Sequence, residues 1–319
     1  MSVLRSGSPH FPCIPHSSHL PGLHGLPDSV NSPRSSRSPR SPRRSARSSA
    51  TAAGALLAVL GLLLGLPGTA GAAPTGRAPE PTHPERDWAG SQIAEHEGTA
   101  AGPASPPGSL AASVEGVDVS SHNGNVAWST LWSSGARFAY VKATESTSYT
   151  NPYFTQQYNG SYKAGMIRGA YHFATPNTSS GAAQAKYFAD HGGGWSKDGK
   201  TLPGALDMEY NPYGDTCYGK SPSGLVTWMK DWFATYKART GRDAVLYTST
   251  NWWKQCTGNS SAFGKINPLW VPRYGSSVGE LPNGWAFHTI WQYTSSGPTV
   301  GDHNRFNGSY DRLKALANG

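Results

Sequence analysis

Cysteine is scarce in this sequence, with three among 319 residues. None stands in a C-x-x-C pair or in the spacing of zinc ligands, which argues against a redox motif and a zinc site. Histidine does not supply a metal site either, since no H-x-x-x-H pattern links the candidates His122, His172, His288 and His303. We therefore expect no metal and no cofactor, and interpret His172 as a neutral hydrogen-bonding residue.

Two catalytic fingerprints are also missing. No predicted strand is followed by G-x-G-x-x-G or by a Walker-type loop, which argues against a nucleotide-binding fold. No G-x-S-x-G elbow is present, which leaves serine hydrolase chemistry poorly supported.

Charged residues are sparse, at 14% of the chain, and the net charge of +8 is concentrated near the N-terminus. Residues 1–72 hold seven Arg and one acidic residue, Asp28, whereas the remainder holds 20 basic and 18 acidic residues. The body of the protein is thus nearly neutral, and no nucleic-acid partner is indicated.

The basic leader has the features of an export signal. Arg43 and Arg44 precede an apolar run over residues 52–66, and residues 70–72, AGA, fit the small-residue cleavage rule. The run is shorter than the roughly 20 apolar residues that span a bilayer and is broken by Gly, so cleavage is favoured over the alternative, a membrane anchor. We predict a secreted protein, extracellular or associated with the cell wall, that begins near Ala73 and has no stable membrane association.

Three regions follow from the composition. Residues 1–72 are the leader with its signal peptide, residues 73–112 are a Pro/Ala/Gly-rich arm or linker, and residues 113–319 are one folded domain. Because the first two regions lack core-forming periodicity, a chain beginning at Ser113 is expected to fold and to keep its activity. A monomer is the default expectation.

Two cysteines, Cys217 and Cys256, remain after the predicted leader, which is an even number for a domain expected to be exported. Exported proteins use such pairs as disulfides, so we predict one bridge between them.

Short apolar runs alternate with amphipathic segments from Ser113 onward. The strand candidates are VEGVDVS, ARFAYVKA, IRGAYHFA, GALDMEY, DAVLYTS, PLWVPRY and FHTIWQY. The clearest helix covers residues 223–239, after Ser221-Pro222 and before Gly241, and weaker helices cover 151–164 and 180–191. This alternation predicts an α/β fold, a modified and partly irregular single-domain β/α barrel (TIM-like), in which helices are missing around 265–305.

Reactive groups of a β/α barrel collect at the carboxyl ends of its strands. In LDMEY, strand alternation turns Asp207 and Glu209 to one face. Their repulsion should raise the pKa of one carboxyl, which prepares an acid and an ionised partner, the division of labour that glycosidic cleavage requires. A structural ion pair or a solvated strand end is the alternative.

Other strand ends offer further candidates. Asp118 lies in the apolar GVDV, where an acid is costly unless it is bonded or functional, although it could join a turn network. Asp302 could instead shape a turn with Asn304. Residues placed to bind a substrate, by charge or by ring stacking, are Lys142, Glu145, Tyr171, Trp291 and Tyr293.

Ordered motifs along residues 114–316 resemble one family. GVDVSSHNG, YVKATES, GAYHFA, LDMEYNP, WVPRY, IWQYTSSG and GDHNRFNG together resemble the glycoside hydrolase family 25 lysozymes, the Ch-type N-acetylmuramidases. ATES stands where ATEG is common, and His303 stands where an apolar residue is usual. Neither departure removes a carboxylate.

The resemblance implies an incomplete β/α barrel that hydrolyses the β-1,4 bond between N-acetylmuramic acid and N-acetylglucosamine in bacterial peptidoglycan. It implies that Asp118, Asp207, Glu209 and Asp302 line the site and that Glu209 is the general acid. Asp207 would assist the substrate acetamide, or act as a direct nucleophile. The competing interpretations are a chitinase-like hydrolase, although the D-x-x-D-x-D-x-E run is absent, and a non-catalytic wall-binding module.

Overall fold

Strands and helices alternate along residues 86–99 and 113–319, the parts of the chain that the structure, a computed structural model, describes. The strands are β1 Val114–Val119, β2 Phe138–Glu145, β3 Tyr149–Thr150, β4 Ile167–Phe173, β5 Ala205–Asp207, β6 Val245–Tyr247, β7 Leu269–Pro272, β8 Ile290–Thr294 and β9 Asp302–Phe306. The helices are α1 Ile93–Glu97, α2 Trp128–Ser133, α3 Phe154–Lys163, α4 Gly181–Asp190, α5 Pro222–Thr240, α6 Thr250–Thr257 and α7 Tyr310–Asn318. A short 3₁₀ helix covers Ser121–Asn123.

The strands close into a barrel. Their order is β1-β9-β8-β7-β6-β5-β4-β2, and a parallel pairing of β1 with β2 completes the ring. Neighbours from β2 through β4, β5, β6 and β7 to β8 are parallel, whereas β9 runs antiparallel to both β8 and β1. All seven predicted strands and the modified β/α barrel are confirmed; β9 and the two-residue β3 are additions.

The helix signals in the sequence are also confirmed. The side chain of Ser221 accepts a hydrogen bond from the backbone N–H of Gly224, Pro222 begins α5, and Gly241 ends it with φ of 74°. A left-handed backbone conformation at that position favours glycine, because glycine has no Cβ that could clash. No helix separates β7, β8 and β9 within residues 269–306, as expected for this irregular stretch.

Strand alternation divides the apolar residues into two layers. The barrel interior is filled by large rings from successive strands: Phe138, Tyr140, Tyr171, Tyr247 and Trp270. The outer layer, between strands and helices, contains Leu206 and Met208 together with Trp232 of α5. Asp207 and Glu209 alternate with Leu206 and Met208, so their side chains turn to the inner side at the barrel mouth.

Residues 86–99, which lie within the region predicted as an arm or linker, pack against the folded domain. Within this stretch Ala89 and Ile93 are fully buried, and Ile93 joins the outer apolar layer. The apolar positions are too few to give a periodic signal in a Pro- and Ala-rich region, so composition alone missed them. The predicted signal peptide and the boundary at Ala73 lie outside the described residues. No helix in the described ranges is long and apolar enough to cross a membrane.

Candidate active site

The Asp207 and Glu209 pair lies at the carboxyl end of β5. Both residues are buried, with relative exposures of 1% and 0%. Oε1 of Glu209 accepts a hydrogen bond of 2.7 Å from the backbone N–H of Gly90. Its Oε2, and both oxygens of Asp207, have no hydrogen-bond partner among the described residues. Buried carboxyl oxygens without partners weaken a fold, so their presence here points to chemistry rather than to structure.

Burial raises the pKa of both carboxyls. The pKa of Glu209 is raised to about 8, mainly by burial and further by the charge of Asp118, while the Gly90 N–H opposes the shift. Burial, followed by the charge of Glu209, raises the pKa of Asp207 well above its usual value. A proton on Glu209 agrees with the expectation for an acid. The sequence pattern led us to expect one raised pKa in the pair, whereas burial raises the pKa of Asp207 as well.

Asp118 of β1 and Asp302 of β9 face each other across the sheet in register. Oδ2 of Asp118 accepts hydrogen bonds from Gln292 at 2.9 Å and from Asn304 at 2.7 Å. Burial raises the pKa of Asp118 to about 7, against these two bonds. Burial and the charge of Asp118 likewise raise the pKa of Asp302. All four predicted carboxyls therefore lie at one mouth of the barrel, and Asp302 belongs to strand β9 rather than to a turn.

Gln292 is an inward residue that the sequence analysis missed. Its amide nitrogen bonds Asp118, and its amide oxygen accepts from the hydroxyls of Tyr247 at 2.9 Å and Tyr274 at 3.2 Å. The side chain is fully buried. Its position between Trp291 and Tyr293 in a strand was the available signal, because alternation turns it to the opposite side from both.

Trp291 and Tyr293 point away from this site. The Tyr293 hydroxyl donates to Glu115 at 3.0 Å, and its ring lies 4.2 Å from the guanidinium of Arg305. The Trp291 indole donates to the backbone oxygen of Arg273 at 2.8 Å. The two rings are therefore not placed to stack on a sugar in this site, although the sequence had led us to expect it.

The remaining predicted binding residues do lie at the mouth. Lys142 Nζ contacts a carboxylate oxygen of Glu145 at 2.7 Å and one of Asp87 at 3.1 Å. Burial lowers the pKa of Lys142, but these two carboxylates outweigh it and raise the pKa overall. The Tyr171 hydroxyl accepts from the backbone N–H of Ala89 at 3.3 Å.

His172 lies behind the site, between the barrel and the helices. It bonds Thr144 at 2.7 Å and Gln184 at 3.0 Å, and burial lowers its pKa to about 4. The two contacts and the lowered pKa fit the neutral hydrogen-bonding role expected for His172. No group of three or more His, Cys, Asp or Glu side chains in the described ranges is arranged to hold a metal ion.

The loop after β5 carries the predicted disulfide. Cys217 is bonded to Cys256 of α6. The next residue, Tyr218, is buried with φ of 59°, and its hydroxyl has no hydrogen-bond partner within the described part of the chain. Burial, then the charges of Glu209 and Asp207, raises the pKa of Tyr218. The bridge therefore anchors the loop that packs beside the carboxyl pair.

The arrangement suits acid catalysis on a polar, uncharged substrate. Four buried carboxyls with raised pKa values can donate or hold protons, and Gln292 can position an amide or hydroxyl.

Comparisons with known proteins agree with this geometry. The family described as Glycosyl hydrolases family 25 matches residues 117–302. Lysozyme M1 of Streptomyces globisporus is 51% identical over 210 residues, covering 64% of this chain and 71% of that protein. The N,O-diacetylmuramidase of Chalaropsis sp is 50% identical over 210 residues, which are 65% of this chain and 100% of the relative. A solved muramidase from Acremonium alcalophilum has 56% identity and a TM-score of 0.64, over 65% of this chain and 99% of that one.

Proposed function

The chain is a member of glycosyl hydrolase family 25, and on that premise we propose that it is a lysozyme acting on bacterial peptidoglycan. The bond cleaved is the β-1,4 bond between N-acetylmuramic acid and N-acetylglucosamine. The carrying observation is the buried pair Asp207 and Glu209, with Asp118 and Asp302 beside it, at the carboxyl ends of the barrel strands. Lysozyme and muramidase relatives near 50% identity support the same activity.

Glu209 is the proposed general acid. Burial raises its pKa to about 8 while the Gly90 N–H is bound, which favours a protonated carboxyl at neutral pH. That proton passes to the glycosidic oxygen as the bond to the anomeric carbon breaks, which leaves Glu209 as a carboxylate. The carboxylate can then take a proton from the water that completes hydrolysis.

Asp207 is proposed to orient the 2-acetamido group of the muramic acid residue. The acetamide oxygen attacks the anomeric carbon while the amide N–H donates to Asp207, whose two oxygens have no competing hydrogen-bond partner in the described part of the chain. An approaching N–H favours the charged form of a carboxyl, so substrate entry lowers the pKa of Asp207. Direct attack by Asp207 is the alternative, and trapping a covalent glycosyl-enzyme would establish it.

Two other functions make different predictions for one assay. A chitinase-like enzyme would degrade chitin, and a wall-binding module would degrade neither polymer. We expect the chain beginning at Ser113 to clear a suspension of bacterial walls and to leave chitin intact. Clearing of chitin but not walls, or of neither by a folded protein, would overturn the proposal.

Secretion belongs to the same proposal, because peptidoglycan lies outside the cytoplasm. The leader pattern predicts cleavage after residue 72. Intact-mass analysis of protein recovered from the medium should give an N-terminus near Ala73. A mature protein that retains the apolar run over 52–66 would contradict this.

A further inference from the structure

The N-terminal stretch 87–97, called here the occluding segment, lies across the mouth that holds the four carboxyls. Asp87 is 1% exposed and Ala89 is fully buried. The His96 ring stacks on Tyr210, just after the carboxyl pair, at 4.0 Å between centroids and 2° between planes. The Tyr210 hydroxyl donates to Glu97 at 3.0 Å. Both ends of the segment are therefore fixed to the rim.

The middle of the segment bonds the groups assigned above to the reaction. The Gly90 N–H donates to Glu209, at 2.7 Å, and the Gly90 carbonyl accepts from the Tyr274 hydroxyl at 3.1 Å. The Ala89 carbonyl accepts from the Gln292 amide at 2.8 Å. Lys142 donates to the backbone oxygen of Asp87 and pairs with its carboxylate.

One peptide unit of the segment resembles the substrate's own chemistry. The Ala89 carbonyl and the Gly90 N–H belong to the same secondary amide, and an N-acetyl sugar carries the same group. Its N–H meets Glu209 while its carbonyl meets Gln292. Oε1 of Glu209 is thus engaged by a donor, and a glycosidic oxygen cannot occupy the same place.

Gly90 lets the backbone approach this closely. Its φ of 94° is a backbone angle that residues with a side chain rarely adopt. A Cβ at this position would overlap the Tyr274 hydroxyl and the amide oxygen of Gln292. The close fit of Gly90 therefore depends on the absence of a side chain.

We propose that residues 87–97 are an internal occupant of the sugar groove and hold the longer chain inactive until they are displaced or removed. This inference rests on the proposed function, because it takes the groove to be the peptidoglycan site. Because the segment is tethered to the barrel, its effective concentration at the groove is high, and a substrate must compete with it for the groove. The family match begins at residue 117, after the segment, and the matched muramidase is covered over 99% of its own length by 65% of this chain. Almost the whole chain of that muramidase is therefore used by the match, so it has few residues left that could form an equivalent segment.

The test compares Gly90→Ala with Gly98→Ala in the chain from Ala73 to Gly319. Both glycines have positive φ, 94° and 72°, so an alanine strains the backbone at either position. A Cβ on Gly98 meets nothing within 4 Å, whereas one on Gly90 collides with the groove. We expect Gly90→Ala to raise the initial rate of wall clearing about tenfold or more, and Gly98→Ala to match the parent.

A peptide of residues 86–99 provides the reverse experiment. Added to the Gly90→Ala chain, it should raise KM with little change in kcat, because it competes for the groove. The same peptide carrying Gly90→Ala should be a weaker inhibitor. Equal rates for the parent and Gly90→Ala, or no inhibition by the peptide, would overturn the inference.

A binding measurement separates this inference from the proposed function. Calorimetry with tetra-N-acetylchitotetraose, a soluble N-acetylated β-1,4 glycan, should show tighter binding to Gly90→Ala than to the parent, whether or not walls are cleared. Equal binding by two active chains overturns the inference alone. If neither folded chain binds the glycan and neither clears walls, the proposed function is overturned, and the inference with it.

Discussion

Asp118, Asp207 and Glu209 lie at the same barrel mouth, but their partners differ. Asp118 accepts hydrogen bonds from Gln292 and Asn304, and both bonds favour its charged form. Among residues 86–99 and 113–319 the oxygens of Asp207 have no such partners, so they are available to a substrate N–H. Glu209 has the deepest burial and a pKa of about 8. The environments of the three carboxyls thus support three roles: positioning, acetamide orientation and proton donation.

Replacement of Glu209 by Gln tests the last of these roles. Gln has the same shape but cannot protonate the leaving oxygen, so kcat should fall by about 10²- to 10⁴-fold with little loss of fold. Asp207→Asn should be nearly as damaging. The assay uses the chain beginning at Ser113, and Glu280→Gln, on the exposed ion pair with Lys254, is the control. Near-normal turnover by Glu209→Gln would remove this residue from the mechanism.

At the scale of elements, strand β5 ends at Asp207 and the disulfide anchors the loop that follows. The bridge joins residues 39 positions apart. Closing a loop of that length stabilises a fold by about 4 kcal/mol in the chain-entropy model. Replacing both cysteines by Ser should lower the melting temperature by roughly 8–16 °C for a domain of this size.

The same double variant should lose activity, since Tyr218 would no longer be held beside the carboxyl pair. Labelling of the native protein with a thiol reagent gives an independent check. Two reactive thiols at Cys217 and Cys256 in the unreduced protein would contradict the bridge.

Elements with a clear apolar pattern were predictable from the sequence, and elements without one were not. The seven predicted strands are apolar on both faces, because rings fill the barrel and helices cover it. Strand β9, DHNRF, is polar on both faces: Asp302 and Asn304 point into the site, while Arg305 pairs with Glu115 outside. Its pattern therefore looked like a turn. In β8 the ring residues were favoured for sugar contact, whereas alternation gives the inward position to Gln292.

At the scale of the whole molecule, several buried carboxyls make stability depend on pH. The pKa of Asp118 is raised from 3.8 to about 7 and that of Glu209 from 4.5 to about 8. The folded chain therefore binds more protons than the unfolded chain up to those values, so the free energy of unfolding falls as pH rises. Buried His172, with its pKa lowered to about 4, acts in the opposite sense only below about pH 6.5.

The melting temperature should accordingly fall between about pH 6.5 and 8, a range in which each raised carboxyl costs up to about 1.4 kcal/mol per pH unit. Glu209→Gln removes one titrating group and should flatten this slope, whereas Glu280→Gln should leave it unchanged. Thermal unfolding at a series of pH values measures both. A melting temperature that rises across this range would contradict the burial of protonated carboxyls.

The backbone contacts that cover the carboxyls could not be read from the sequence. The backbone N–H of Gly90 donates to the Glu209 side chain across 119 positions, and every residue type except proline has such an N–H group. Only the glycine itself carries information about that approach, and glycine is common in this chain, with 38 copies. Side-chain patterns thus located the carboxyls, whereas the backbone contacts that cover them required the folded structure.

The sugar at the new ends created by cleavage shows whether this protein is a muramidase. Peptidoglycan digested by the chain beginning at Ser113 is reduced with borohydride, hydrolysed and analysed for amino-sugar alcohols. Cleavage on the reducing side of N-acetylmuramic acid leaves that sugar at the new end, so the account predicts muramitol. Glucosaminitol in its place would show that the other glycosidic bond is cut and would contradict the assignment of this protein as a muramidase.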